Sequence, residues 1–254
     1  MVCKPNAAVL FDIDDTLAPT SRFINTVINE SVRTMTAAGL KVDDIEHAVA
    51  TLHQIRASGQ EHAGIDFNLL CYTYNTPQIQ IPRIVKAGVD EYHRIRDVLL
   101  KPNPYSEEIL EHLTTQGYIL GVVTNGNPTK QHDKLLYLHL QKFFGKYFYA
   151  SIDTAVMKPN PTMLLKALED MAAEPARSYI VGDRPEDVLA GHRAGMKAIR
   201  YLSGHHSGKS PVSTLLSQGI AGEDILFGKY DDRIAELTPE HIITDLREIR
   251  DIIK

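Results

Sequence analysis

Two hydrophobic periods alternate along this chain, and where they change marks its parts. Ala7-Ala8-Val9-Leu10-Phe11 is a continuous apolar run that stops at three carboxylates within four residues, Asp12, Asp14 and Asp15. A run of five apolar residues between polar ones predicts a strand buried on both faces, as in a parallel sheet. After Thr20 the period becomes helical: Phe23, Ile24, Val27, Ile28, Val32 and Met35 fall on one stripe, Thr20 or Ser21 can cap it, and Gly39 closes it. Ile45, Ala48, Val49, Leu52 and Ile55 predict a second helix from about Asp44 to Gly59. Ala63 to Tyr74 predicts a third, and Pro82 opens a fourth that carries Ile84, Val85, Val89, Tyr92, Ile95 and Leu99. Nothing between residues 20 and 100 alternates like a strand.

Lys101-Pro102-Asn103-Pro104-Tyr105 excludes regular helix and reads as a linker. Strand and helix patterns then alternate. Ser106 caps a helix that ends at Gly117, and Tyr118 to Val123 is a strand. Pro128 to about Leu140 is a helix, Phe148 to Ile152 a strand, and Asn160-Pro161 starts a helix to Ala172. Ser178 to Val181 is a strand, Pro185 to Ala194 a helix, and Lys197 to Tyr201 a strand. His241 to Thr244 adds a last strand and Leu246 to Ile253 a closing helix. Such alternation predicts an α/β fold with a Rossmann-like parallel sheet flanked by helices. The mostly helical block is inserted after the first strand. The expected domains are residues 1–19 with 101–254, and residues 20–100. Residues 203–237, rich in Ser, Gly and charge, give no clear pattern.

Composition narrows the class. The chain is 43% hydrophobic and 23% charged, as in a soluble globular protein, and its net charge of -5 offers no electrostatic case for nucleic acid. No apolar stretch approaches the roughly 20 residues that span a bilayer. Met1 to Asn6 lacks the apolar segment of a signal peptide. Cys3 and Cys71 form no Cys-x-x-Cys pair and no disulfide framework, so a reduced, cytoplasmic setting is expected.

Each predicted core strand runs into a distinctive polar stretch. The first supplies Asp12 and Asp14, which share a face of an extended strand about 7 Å apart and need a cation or a shared proton. The second leads to Thr124-Asn125-Gly126-Asn127-Pro128, a hydroxyl and backbone amides before a helix start, suited to a phosphate. The third leads to Lys158, and the fourth to Gly182-Asp183-Arg184-Pro185-Glu186-Asp187, a second carboxylate pair. Taken singly, each has an ordinary reading: an acidic turn, a strand-to-helix turn, a solvated lysine, a helix cap. Together, each after a strand, they describe one sheet edge carrying an anion cradle, a cation and two carboxylate pairs. Such carboxylates suit a hard divalent ion, Mg²⁺, and leave one Asp to attack phosphorus.

On these residues the sequence resembles the haloacid dehalogenase-like superfamily of phosphohydrolases. Asp12-Ile13-Asp14-Asp15-Thr16-Leu17 matches its first motif, Thr124-Asn125 its second, Lys158 its third, and Gly182-Asp183 with Asp187 its fourth. The resemblance implies that Asp12 is the nucleophile and Asp14 the general acid and base. It implies Mg²⁺ held by Asp12, Asp183 and the backbone carbonyl of Asp14, with Asp187 assisting. Thr124 and the Asn125 amide would bind the phosphoryl group, and Lys158 would neutralise charge on nucleophile and phosphate. The inserted helices would be a C1-type cap that closes over the site and selects the substrate, a small phosphorylated metabolite. Within the superfamily the chain resembles archaeal small-molecule phosphatases.

Asp14 argues against dehalogenation and does not separate hydrolysis from phosphomutase chemistry of the β-phosphoglucomutase type. A catalytically idle binding module is a third reading, opposed by the intact set of Asp12, Asp14, Lys158 and Asp183. Asn125, Asn127 and Arg184 are equally readable as structural. Arg22, Asn25, His53 and Arg56 are polar candidates in the cap whose helix faces the pattern does not phase. His205-His206 reads as a loop. Phe67 to Tyr74 reads as cap core in preference to an interface, and the oligomeric state is not visible.

Overall fold

The computed structural model describes residues 6–58, 63–202 and 235–254. The chain divides into two compact units, Met1–Pro19 with Lys101–Lys254, and Thr20–Leu100. In the first unit six strands form one sheet: β1 (Ala8–Phe11), β2 (Ile119–Thr124), β3 (Phe148–Ala150), β4 (Tyr179–Gly182), β5 (Lys197–Tyr201) and β6 (His241–Ile243). Their order is β3-β2-β1-β4-β5-β6, and every neighbouring pair is parallel. The chain winds outward from β1 in one direction through β2 and β3. It then returns to β4 on the other side of β1. The order therefore reverses between β1 and β4, where the adjacent connections leave in opposite directions and open a crevice at the carboxyl ends of the strands.

The second unit contains α1 (Thr20–Ala37), α2 (Ile45–Ser58), α3 (Ala63–Thr73) and α4 (Ile81–Leu99). Its core joins Val27, Val32 and Met35 of α1 with Ile84 and Tyr92 of α4 and Phe67 of α3. Phe67 and Tyr92 meet edge to face at 6.2 Å. The stretch from Phe67 to Tyr74 is split: Phe67, Leu70 and Cys71 are buried, whereas Leu69 and Tyr72 are exposed. Arg56, a polar candidate from the pattern, is buried in an ion pair with Asp66 at 3.1 Å. Its helix phase points it into the core of its own unit. Arg22 and Asn25 are exposed and His53 is half-buried. Burial pushes the Cys71 thiol above its usual range; Cys3 lies outside the described residues.

The sheet unit is completed by α5 (Ser106–Thr115), α6 (Pro128–Tyr137), α7 (Ser151–Thr154), α8 (Thr162–Asp170), α9 (Pro185–Arg193) and α10 (Ile249–Ile252). One sheet face buries Leu10, Val123, Ile180 and Ala198 against Met163, Leu164, Ala167 and Leu168 of α8 and Val188 and Ala190 of α9. The strands are apolar on both faces because helices cover both.

Several boundaries differ from the sequence expectation. Ser106 is the first residue of α5 and not its cap. Tyr105 occupies the cap position in a left-handed conformation, and the Ser106 hydroxyl donates instead to the Leu17 carbonyl at 3.3 Å. The strand predicted to reach Ile152 ends at Ala150, where the chain turns into α7. α6 ends at Tyr137, three residues early. The closing helix begins as a 3₁₀ turn, Leu246–Glu248, capped by Asp245. His205-His206 and residues 203–234 lie outside the described residues. Among the described residues no helix is long and apolar enough to cross a membrane.

Candidate active site

Asp12 follows β1 directly, and its amide still donates to the Val181 carbonyl of β4 at 2.9 Å. The chain then turns. Leu17 and Ala18 donate to the Ile13 carbonyl, both at 2.9 Å, and Asp15 takes a left-handed φ of 59°. This turn is braced from the linker. The side chain of Asn103 donates to the Thr16 carbonyl at 2.8 Å and its backbone amide to the Leu17 carbonyl at 2.8 Å. Asn103 is buried, so the segment read as a mere linker is part of the support for the Asp12–Asp14 loop.

The reversal point between β1 and β4 collects the polar stretches. Asp12 after β1, Asp183 after β4 and Asp187 in the first turn of α9 are all buried, and a carboxylate oxygen of each lies within 4.8 Å of the others. Lys158 enters the same cluster. Its ammonium donates to Asp12 Oδ1 at 2.7 Å, to Asp187 Oδ1 at 2.6 Å and to the Val123 carbonyl at 2.9 Å. An ammonium has three protons, and all three are used. Burial alone would lower the pKa of Lys158, but Asp12 and Asp187 more than offset this and hold it above the usual lysine range. Asp187 also accepts from the Arg184 amide at 3.0 Å, which anchors the start of α9.

Lys158 pairs with two of the three carboxylates and Arg184 partly offsets the third, so negative charge is still in excess. Burial pushes the Asp12 carboxyl up to about 6; Asp187 and Asp14 add to the rise while Lys158 opposes it. Burial, then Asp187 and Asp12, push Asp183 up to about 9. A protein that surrounds ionised oxygens with more of the same favours a proton or a cation there. The donor set is all oxygen, buried and converging, which fits a hard divalent ion such as Mg²⁺. Asp14 lies outside this converging group, so its side chain is not among the oxygens gathered there.

Gly182 sets how close the carboxylates come. A Cβ at that position would lie 2.4 Å from the Asp187 carboxyl carbon. Gly182→Ala must therefore displace Asp187 and with it one acceptor of Lys158. Overpacking of this kind costs about 1–3 kcal/mol. The variant should show a lower urea midpoint in the absence of metal ions, and an unchanged midpoint would contradict this geometry.

The anion-binding stretch divides between candidates and scaffold. Thr124 is the buried last residue of β2. Asn125 clamps the lysine loop: its Oδ1 accepts from the Lys158 amide at 2.9 Å and its Nδ2 donates to the Lys158 carbonyl at 3.3 Å. The Gly126 amide donates to the Ser151 hydroxyl at 2.9 Å, so this amide is committed within the protein. Asn127 caps α6 by accepting from the Lys130 amide at 3.2 Å. Arg200, buried, donates to the Asp183 carbonyl at 2.9 Å.

Two residues at this edge were absent from the sequence expectation. Lys134 and Gln131, both on α6 and both buried, hold the Asp14 carboxylate, Lys134 at Oδ1 and Gln131 at Oδ2. A signal for them existed. Gln131, Lys134, Leu135 and Leu138 form an i, i+3, i+4, i+7 stripe, and all four are buried. Two polar residues in such a stripe must meet partners in the interior.

The family model of haloacid dehalogenase-like hydrolases matches residues 9–201. A glyceraldehyde 3-phosphate phosphatase of Methanopyrus kandleri is 33% identical over 208 residues, 80% of this chain and 87% of that protein. Its counterpart in Methanocaldococcus jannaschii is 29% identical over 247 residues, 97% and 96% of the two chains. The solved structure of a HAD phosphatase from Thermococcus onnurineus superposes with a TM-score of 0.66 over 97% of both chains at 22% identity, a likeness of fold. A parallel sheet whose order reverses beside an Asp-x-Asp loop, a buried lysine and a second acidic loop is thus matched along most of the chain, which belongs to the haloacid dehalogenase-like hydrolase family.

Proposed function

We propose that this protein is a Mg²⁺-dependent phosphatase that hydrolyses a small phosphorylated metabolite through an aspartyl-phosphate on Asp12. The observation that carries the reading is the convergence of Asp12, Asp183, Asp187 and Lys158 at the sheet reversal. Asp12, Asp183 and Asp187, with the backbone carbonyl of Asp14, are the groups we assign to Mg²⁺. When bound, the ion supplies positive charge that stabilises phosphoryl oxygens. Asp12 attacks phosphorus in line; the bond from phosphorus to the leaving oxygen breaks as the bond to Asp12 forms. The leaving oxygen takes its proton from Asp14. In the second step water gives its proton to Asp14 and attacks phosphorus, which releases phosphate and restores Asp12. Lys158 holds Asp12 in place against its neighbours' repulsion, and Thr124 with the Asn125 amide orients the phosphoryl group. The Thr20–Leu100 unit, inserted immediately after the nucleophile loop, is the part we assign to substrate selection as a cap.

The names of the archaeal relatives make glyceraldehyde 3-phosphate the first substrate to assay. Phosphate release should be measured across triose phosphates, phosphoglycolate, sugar phosphates and nucleotides with Mg²⁺ present. Isomerised sugar phosphate without net phosphate release would refute the hydrolase reading.

The site also predicts how pH and metal interact. The folded-state pKa values of Asp12 and Asp183 stand above the usual 3.8. The metal-free site therefore holds protons that the same two carboxyls release in the unfolded chain. Their contribution to stability is fully present below the usual carboxylate range and is lost as pH rises through about 6 and then about 9. Mg²⁺ replaces those protons, so its stabilisation should grow with pH. Saturating Mg²⁺ should raise the melting temperature by roughly 5 °C at about pH 8.5 and by much less at about pH 5. Thermal denaturation with and without EDTA checks this, and an equal Mg²⁺ effect at both pH values would contradict it.

A further inference from the structure

α6 carries two side chains that no step above uses. Lys134 is 4% exposed, and a charged group so buried needs a specific partner. That partner is Asp14 Oδ1, 120 residues away in sequence. Gln131, one turn earlier and on the same face, donates from Nε2 to Asp14 Oδ2 at 2.8 Å and to the Asn125 carbonyl at 3.0 Å. A carboxylate and a carbonyl only accept, so the amide end of Gln131 that faces them must be the NH₂. Both oxygens of Asp14 thus receive a donor from one rigid helix. The contacts continue: Asn125 holds the backbone of Lys158 on both sides, and Lys158 holds Asp12. The two carboxylates of the first motif are tied together through α6 and the lysine loop as well as through their own backbone.

An aspartate side chain has three staggered χ1 positions, and proton transfer needs the one that places the carboxyl within hydrogen-bond reach of the leaving oxygen. We infer that Lys134 and Gln131 are positioning residues that fix the Asp14 carboxyl for that transfer. The inference rests on the phosphatase reading above. In the first step the proton of Asp14 passes to the oxygen whose bond to phosphorus breaks, and the carboxylate left behind is held by Lys134. In the second step that same carboxylate takes a proton from water. The neutral donor Gln131 keeps the orientation in both steps.

Leaving-group dependence separates this role from a merely structural one. An alkyl phosphate needs the proton because its alkoxide is a poor leaving group, whereas p-nitrophenolate departs without one. The kcat/KM of Lys134→Met should fall about 100-fold for alkyl phosphates, glyceraldehyde 3-phosphate first, and only several-fold for p-nitrophenyl phosphate. Lys134→Arg should restore part of the alkyl ester loss. Gln131→Met, which removes no charge, should show the same selectivity at about tenfold, and it decides the matter if circular dichroism finds Lys134→Met unfolded. Equal losses on both esters would overturn the inference, as would undiminished alkyl phosphate turnover. The Asp12→Asn variant is the control. If wild-type protein hydrolyses neither ester, or hydrolyses them without Asp12, the phosphatase reading itself fails. Asp12-dependent turnover with no leaving-group selectivity in the α6 variants overturns the positioning role alone.

Discussion

Asp12→Asn should abolish phosphate release, with a fall in turnover on the order of 10⁴-fold or more. An amide oxygen is a far weaker nucleophile than a carboxylate, and no neighbouring group can replace it: Asp183 and Asp187 leave from β4 and α9 on the other side of the reversal point. The fold should survive. Asn keeps the shape of Asp and an oxygen for the Lys158 ammonium, which retains Asp187 and the Val123 carbonyl as partners. Burial, then Asp187 and Asp12, hold the pKa of Asp183 at about 9, and removing one of three crowded carboxylates relieves the Asp12 part of that repulsion. Metal-free Asp12→Asn should therefore unfold at a urea concentration no lower than wild type above about pH 6, where Asp12 is ionised. The sign follows from linkage: the native site binds protons that the unfolded chain releases, and the variant no longer carries that cost. Phosphate release and urea titration on the same sample check both halves. Turnover within tenfold of wild type would remove Asp12 from the mechanism.

Lys158→Met should have the largest effect on stability. Its ammonium is buried and fully coordinated by Asp12, Asp187 and the Val123 carbonyl. Methionine fills similar space but leaves two buried carboxylates face to face and a carbonyl without its donor. Removing one partner of a buried ionic cluster costs about 3–5 kcal/mol. The penalty should shrink at low pH, where Asp12 takes up a proton, and should shrink when Mg²⁺ is added. Lys158→Arg should not restore wild-type behaviour, because a planar fork cannot serve three acceptors grouped about a point charge. Urea unfolding in EDTA and in Mg²⁺ measures the difference. A metal-free Lys158→Met protein as stable as wild type would show that the lysine does not hold the cluster together.

Both expectations depend on contacts between residues far apart in sequence, and they mark how much of the site was legible beforehand. The strands were legible because burial on both faces leaves an uninterrupted apolar run, as in Val9-Leu10-Phe11 and Ile180-Val181. Their carboxyl ends were legible because each run stops at residues that no apolar core accepts. The parallel order follows from alternation with helices, and it brings Asp12, Lys158, Asp183 and Asp187 to one edge without any need to see it. The position of Asn103, read as linker, was hidden because its partners are backbone carbonyls, which carry no sequence signature. Arg56 was hidden for a different reason: a long cationic side chain reads as surface, and only the phase of α2 against α3 turns it toward Asp66.

What the sequence determined by itself, then, is the list of candidate polar groups and the sheet that gathers them, since local periodicity and motif spacing are short-range properties. What only the tertiary structure decided is how those groups are held. Lys134 and Gln131 reach Asp14 across more than a hundred residues, and Ser151 engages the Gly126 amide across the whole of α6 and β3. Such contacts depend on the rotation of a helix about its axis and on the distance between neighbouring loops. Those quantities are set by the packing of the whole core, and no window of the chain contains them.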